Sequence, residues 1–141
     1  MDNYRFYLPG YGVRAADINA GGHVSATAVL NYFHDARIAY LERLGAFSES
    51  DIGDGHGLIL AETRVRHRAE MFLGDVLELG VRINQMRSRS FVMGYRVERA
   101  GTATAEGTIS VVCFDYRQRR PAPVPAAFRE AAERFEGASF R

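Results

Sequence analysis

Only one stretch of this chain, Ser25 to Leu44, repeats apolar side chains at helical spacing for long enough to make a long helix. Val29/Leu30, Phe33, Ala36, Tyr40, Leu41 and Leu44 recur every three to four residues, against Thr27, Asn31, His34, Asp35 and Glu42 on the other side. Ser25 or Thr27 can cap its start, and Gly45 supplies a stop. A helix of about 20 residues is some 30 Å long, and its apolar side must be covered.

The remainder of the chain offers one cover. Beyond the polar loop Phe47–Gly57 the apolar period switches to two. Leu58–Arg68 alternates, with Ile59, Ala61, Thr63 and Val65 on one face and Glu62, Arg64, Arg66 and Arg68 on the other. After the Gly74-Asp75 turn come Leu77, Leu79, Val81 and Ile83, then Phe91, Met93, Tyr95 and Val97, then Ala105, Ile109, Val111 and Cys113. Tyr4–Val13 reads as a weak first strand, interrupted by Pro9 and Gly10. Pro121, Pro123 and Pro125 make an extended connector, and Phe128, Ala131, Ala132 and Phe135 mark a short closing helix. The expected class is α+β: a five-stranded antiparallel sheet curled round one long central helix, in a single domain over residues 1–141. Such a sheet has two long edges, and a dimer that continues it is expected.

Composition removes several function classes. The 141 residues suit one domain with a real core, and the formal charge of +1 argues against a dedicated nucleic-acid or membrane surface. No apolar run approaches 18 residues, so no transmembrane helix is expected. The segment Met1-Asp-Asn-Tyr-Arg5 lacks the apolar centre of a signal peptide. The lone Cys113 rules out an internal disulfide and fits a reducing cytoplasm.

Chemistry concentrates just before the helix, in Asp17-Ile-Asn-Ala-Gly-Gly-His-Val24. A carboxylate, an amide and an imidazole lie beside the unpaired N–H groups of a helix start. Such an end attracts negative charge, including a carbonyl oxygen that is becoming an oxyanion. That suits acyl transfer.

This loop looks like the D-x-D-x-x-G-H-V loop of a known family. Phe33-His-Asp-Ala-Arg37, Gly74-Asp75, Arg89-Ser-Phe91 and Val112-Cys-Phe-Asp115 fit the same family in order and spacing. Over about Tyr11 to Phe128 the chain resembles the hotdog-fold acyl-CoA thioesterases of the 4-hydroxybenzoyl-CoA thioesterase type. The resemblance implies the hotdog fold, and hydrolysis of a thioester of coenzyme A (or of acyl carrier protein) to a free acid without a cofactor. It implies a site at the interface of a dimer, alone or in a dimer of dimers. It places the oxyanion donor at the backbone N–H of Ala26, beside Ser25 and the loop glycine Gly22, and the nucleotide near Arg89 and Ser90. One departure matters. The second acid of D-x-D is here Asn19, which cannot ionise and so can be neither base nor anionic nucleophile. It can orient a water or hold the thioester. The loop also looks like that of a subgroup with D-x-N-x-G-G-H, and the family's N-N after G-H-V is replaced by Ser25-Ala26.

Each candidate side chain has a functional and a structural reading. Asp17 is either the base or a tie for the loop through backbone N–H groups. Glu62 is either the base or the ion-pair partner of Arg64. Glu70 and Asp35 are weaker candidates. His23 binds the carbonyl or acts as an acid, or locks the loop. Arg37, set between Phe33 and Leu41, needs a carboxylate or carbonyl acceptors. Arg89 either meets coenzyme A phosphates or is solvated. His34, His56 and His67 have no ligand spacing, so no metal site is expected. Cys113 reads as core, and the absence of G-x-S-x-G removes a serine hydrolase of the α/β type. The rival functions are a non-catalytic hotdog protein that binds an acyl thioester or other small ligand, and a dehydratase or isomerase acting on acyl thioesters.

Overall fold

The structure, a computed structural model, describes residues 4–140; Met1–Asn3, part of the segment read for a signal peptide, and Arg141 lie outside it. The apolar alternation produces five long elements of one antiparallel sheet: β1 (Phe6–Gly12), β2 (His56–His67), β3 (Val76–Met86), β4 (Ser90–Arg99) and β5 (Thr102–Asp115). Their spatial order is β1-β3-β4-β5-β2. The core face is set by register, with Leu79 opposite Val97 and Met93 opposite Ile109. A two-residue sixth strand, β6 (Arg120–Pro121), pairs with the end of β5. It forms within the stretch read as an extended connector, where Pro121 sits at a strand edge that needs no donor from it.

Helix α1 (Ala26–Leu44) lies across the apolar face of this sheet. Ser25 caps it, its Oγ accepting the Ala28 N–H at 3.1 Å. Its buried stripe is Ala28, Val29, Tyr32, Phe33, Ala36, Arg37, Tyr40 and Leu41. Leu30, expected in that stripe, is 44% exposed, and Tyr32 takes the buried place with no exposure. The helix is rotated so that Leu30, His34 and Ile38 form an exposed line one turn apart. The Phe33 ring stacks on Tyr95 at 4.6 Å between centroids. It sits so close to β5 that a Cβ at Gly107 would meet it at 2.6 Å, so a glycine there is what lets the helix settle on the strand. Truncating such a buried ring costs about 3–5 kcal/mol.

One expectation for β2 is corrected. A bulge lies between Leu60 and Glu62, and one extra residue reverses the alternation. Leu58 and Leu60 stand opposite Cys113 and Val111 on the core side before it, and Thr63 and Val65 stand opposite Ile109 and Gly107 after it. Ile59 and Ala61 therefore do not share a face with Thr63 and Val65. The short helix α2 (Ala126–Glu136) closes one end of the core, its Phe128 ring packed between Phe47 at 5.1 Å and Phe91 at 5.5 Å.

The two rims of the sheet differ. β1 carries Pro9 and a register shift between Leu8 and Tyr11, both of which spoil it as a template for pairing. β2 is twelve residues long and contains no proline.

Candidate active site

The loop before α1 is pinned from several sides. After β1 a single 3-10 turn, Ala15–Asp17, brings Asp17 under the helix, where it is 3% exposed. Its Oδ2 accepts the Arg14 N–H at 3.0 Å and the Tyr32 hydroxyl at 2.9 Å, and its Oδ1 faces Arg14 Nη2 at 3.3 Å. Burial pushes the carboxyl pKa up, but these hydrogen bonds together outweigh it and hold the group below the ordinary carboxylate range. The Asp17 carbonyl also accepts the Ser25 N–H at 2.9 Å.

Asn19 closes the turn that follows. Its Oδ1 accepts the Gly21 N–H at 3.0 Å, while its backbone carbonyl accepts from Gly22 and its N–H donates to the His23 carbonyl, both at 3.0 Å. Gly22 takes a φ of +84°, which L side chains rarely adopt. Val24 N–H then donates to the Met71 carbonyl at 2.8 Å, binding the loop to the segment that leaves β2.

These bonds shape an open cleft of about 430 Å³. Asn19, His23 and Ala26 line one wall, and His67, Glu70 and Met71 line the other. Ser25 satisfies the third amide of α1, so the N–H groups of Ala26 and Thr27 have no hydrogen-bond partner among the described residues. His23 places Nδ1 3.2 Å from the Val24 carbonyl and Nε2 3.8 Å from Glu70 Oε2. The cleft thus combines the free helix-start amide of Ala26, a carboxamide, an imidazole and a carboxylate, the groups that acyl-transfer chemistry uses.

Other candidates lie elsewhere in the chain. Glu62 is on the outer face of β2, opposite Ser110, its Oε2 3.7 Å from Arg64 Nε. Arg89 lines a second cleft, of about 400 Å³, with His56, Asp115 and Arg120, at the opposite end of β2 from Asn19. Ser90 opens β4 there, opposite Val112. Asp35 accepts a hydrogen bond from the Tyr11 hydroxyl. Arg37 finds the carboxylate its position demands: Nε lies 2.6 Å from Glu49 Oε2, and Nη1 donates to the Tyr95 hydroxyl at 3.0 Å. Cys113 is buried in the core, and burial pushes its thiol up to about 11. Asp75 of the Gly74-Asp75 turn accepts from Phe72 N–H and from Arg99, each at 2.8 Å, and ties the turn. Among the described residues no three His, Cys, Asp or Glu side chains converge as a metal site.

Sequence reasoning ranks Glu70 low and sets His67 aside for want of metal-ligand spacing, yet both line the cleft. The signal is a polar cluster, His67-Arg68-Ala69-Glu70, placed where β2 ends. Nothing in its spacing announces contact with a loop more than 40 residues earlier.

The comparisons with known proteins agree with this architecture. The model of the thioesterase-like superfamily matches residues 13–132. A thioesterase from Thermus thermophilus, solved with coenzyme A and zinc, is 31% identical, with 97% of this chain and 98% of that one covered and a TM-score of 0.83. A thioesterase-superfamily protein from Jannaschia sp. CCS1 is 27% identical, over 98% of this chain and 87% of that one, with a TM-score of 0.84. A 1,4-dihydroxy-2-naphthoyl-CoA thioesterase from Synechocystis is 25% identical, over 90% of this chain and 94% of that one, with a TM-score of 0.79. No match emerges among curated proteins. On the match to the family model, which spans most of its length, this chain belongs to the thioesterase-like superfamily.

Proposed function

We propose that this protein is an acyl-CoA thioesterase that hydrolyses its substrate at the cleft between the Asn19–His23 loop and the end of β2. The observation that carries the reading is the free helix-start amide of Ala26, which lines a cleft that also holds Asn19 and His23. A thioester carbonyl seated there meets an N–H donor as its oxygen gains charge, the term that contributes most to acyl transfer. Asn19 orients the carbonyl or the attacking water and stands as a feature of a D-x-N-x-G-G-H subgroup. The coenzyme A carrier is favoured over acyl carrier protein because the Thermus thermophilus relative was solved with coenzyme A. Asp17, with its oxygens engaged by Tyr32 and Arg14, is better suited to holding the loop than to taking a proton.

The site is completed by a second copy. β2 is the rim without proline, and it carries Leu60, an apolar side chain that is 43% exposed. Pairing β2 with its own copy about a two-fold axis is antiparallel, so the start of one strand lies beside the end of the other. That places His56, Arg89, Ser90 and Arg120 of one protomer next to Asn19 and His23 of its partner. Arginine forks there suit the phosphates of coenzyme A. Glu62, near the middle of the same strand, lies by the seam, where it stays a candidate acid in the assembled site. The assembly is a dimer or a dimer of dimers. Among the described residues no helix is long and apolar enough to cross a membrane; a cytoplasmic setting suits the lone buried thiol.

Purified protein should release free thiol from members of a broad acyl-CoA panel. A panel with no member cleaved above background overturns the reading. The amide at position 19 favours one alternative, a non-catalytic protein that binds acyl thioesters, and acyl-CoA binding without turnover would select it.

A further inference from the structure

Hydrolysis at this cleft needs a group to take a proton from the attacking water, and Asn19 cannot serve. Asp17 is turned under the helix with its Oδ2 already accepting from Arg14 N–H and the Tyr32 hydroxyl, and despite burial these bonds hold its carboxyl below the ordinary range, which makes it a poorer base. Glu62 lies on the outer face of the sheet. Among the described residues Glu70 is the one carboxylate that lines the cleft.

His23 supplies the acceptor. Its Nδ1 lies 3.2 Å from the Val24 carbonyl oxygen. A carbonyl can only accept, so Nδ1 carries the ring's proton, and the lone pair of the neutral imidazole is on Nε2. That nitrogen faces Glu70 Oε2 at 3.8 Å. The gap is too long for a direct hydrogen bond, and a water set beside both atoms can donate one hydrogen to each. His67 and Arg68 share the cleft, but the Arg68 guanidinium is drawn away to Glu106 Oε1 at 2.9 Å. Glu70 is therefore the charge that faces His23.

We propose that His23 and Glu70 form the proton-transfer pair for thioester hydrolysis, an assignment that rests on the thioesterase reading above. Water forms its C–O bond to the thioester carbon while its proton passes to His23 Nε2. The carbonyl π pair moves to the oxygen, which faces the Ala26 amide. The Glu70 carboxylate orients the water and offsets the imidazolium charge. The oxyanion then collapses, the C–S bond breaks, and the leaving thiolate takes the proton from Nε2. The products are the carboxylic acid and free coenzyme A, and the enzyme returns to its starting protonation state.

The test is steady-state hydrolysis of the best acyl-CoA in the panel by the full-length protein. Glu70→Gln should lower kcat roughly 10- to 100-fold, and His23→Asn roughly 100-fold or more, with KM and coenzyme A binding within about twofold in each. The double variant should be no slower than His23→Asn alone, since paired groups acting on one proton do not add. Added formate should restore part of the activity of Glu70→Ala, which loss of a merely structural contact would not allow. The Glu70 side chain is 64% exposed, so its replacement leaves folding intact, checked by an unchanged melting curve. A wild-type protein that turns over while Glu70→Gln keeps kcat within threefold, or Glu70→Ala ignores formate, overturns the pair alone. A wild-type protein that cleaves nothing overturns the thioesterase reading and the pair with it.

Discussion

The Tyr32 hydroxyl, on the buried stripe of α1, donates to Asp17 Oδ2 at 2.9 Å, so the central helix holds the candidate catalytic loop through a carboxylate 15 residues earlier. The bond is buried and joins a neutral donor to an ionised acceptor, a combination worth more than the average hydrogen bond.

Tyr32→Phe should therefore destabilise the protein by about 1–3 kcal/mol, read from urea unfolding at neutral pH. The same bond has a pH signature. The folded state holds Asp17 below its ordinary range, so the unfolded chain takes up the proton first as pH falls. This contribution is complete above the unfolded value near 3.9 and fades as pH drops through the folded one. Wild type should lose more stability between neutral pH and about pH 3.5 than Asp17→Asn does. Equal losses in the two proteins would remove Asp17 from the loop-anchoring role.

Asn19 separates orientation from base chemistry. Asn19→Ala should lower kcat about tenfold, in line with loss of one orienting hydrogen bond of about 1.4 kcal/mol, and thiol release reads it directly. If the cleft is instead a non-catalytic binding site, Asn19→Ala changes nothing and Asn19→Asp creates turnover.

The self-pairing of β2 predicts a simple break. Leu60→Lys together with Ile38→Glu puts charges on two exposed apolar positions, the first of them on the free rim itself. Sedimentation should shift the protein from an oligomer to a monomer, with activity lost while the melting curve of the monomer persists. A double variant that keeps the wild-type mass would remove β2 from the interface.

The β4–β5 hairpin carries a local misfit. Ala100 and Gly101 both have positive φ, 52° and 81°, the arrangement of a tight two-residue turn. Alanine is strained there by about 1 kcal/mol and asparagine is at home. Ala100→Asn should raise stability by about 0.5–1 kcal/mol, a few degrees of Tm, without touching activity.

Periodicity makes most of the fold legible. Leu77, Leu79, Val81 and Ile83 alternate without interruption, and all four are buried as that alternation demands. The slip at Ala61 is hidden, because a bulge adds a residue without changing residue type. Leu30 and Tyr32 show the limit of helical spacing, since a large apolar residue on either flank of the stripe satisfies the pattern, and only packing chooses. The loop of the candidate site can be read as a unit because its residues are neighbours in sequence. Glu70 ranks below Glu62 and Asp17 in sequence because its nearness to His23 arises through the Val24–Met71 backbone bond, and main-chain pairing leaves no mark on side-chain pattern.

That bond has a consequence for how such a protein can change. Because an amide and a carbonyl set the spacing between the two walls of the cleft, residues 23 and 70 can be exchanged for other chemistries while the gap between them is preserved. The frame is indifferent to what it carries, and a lineage can trade one reaction for another there without relearning how to fold.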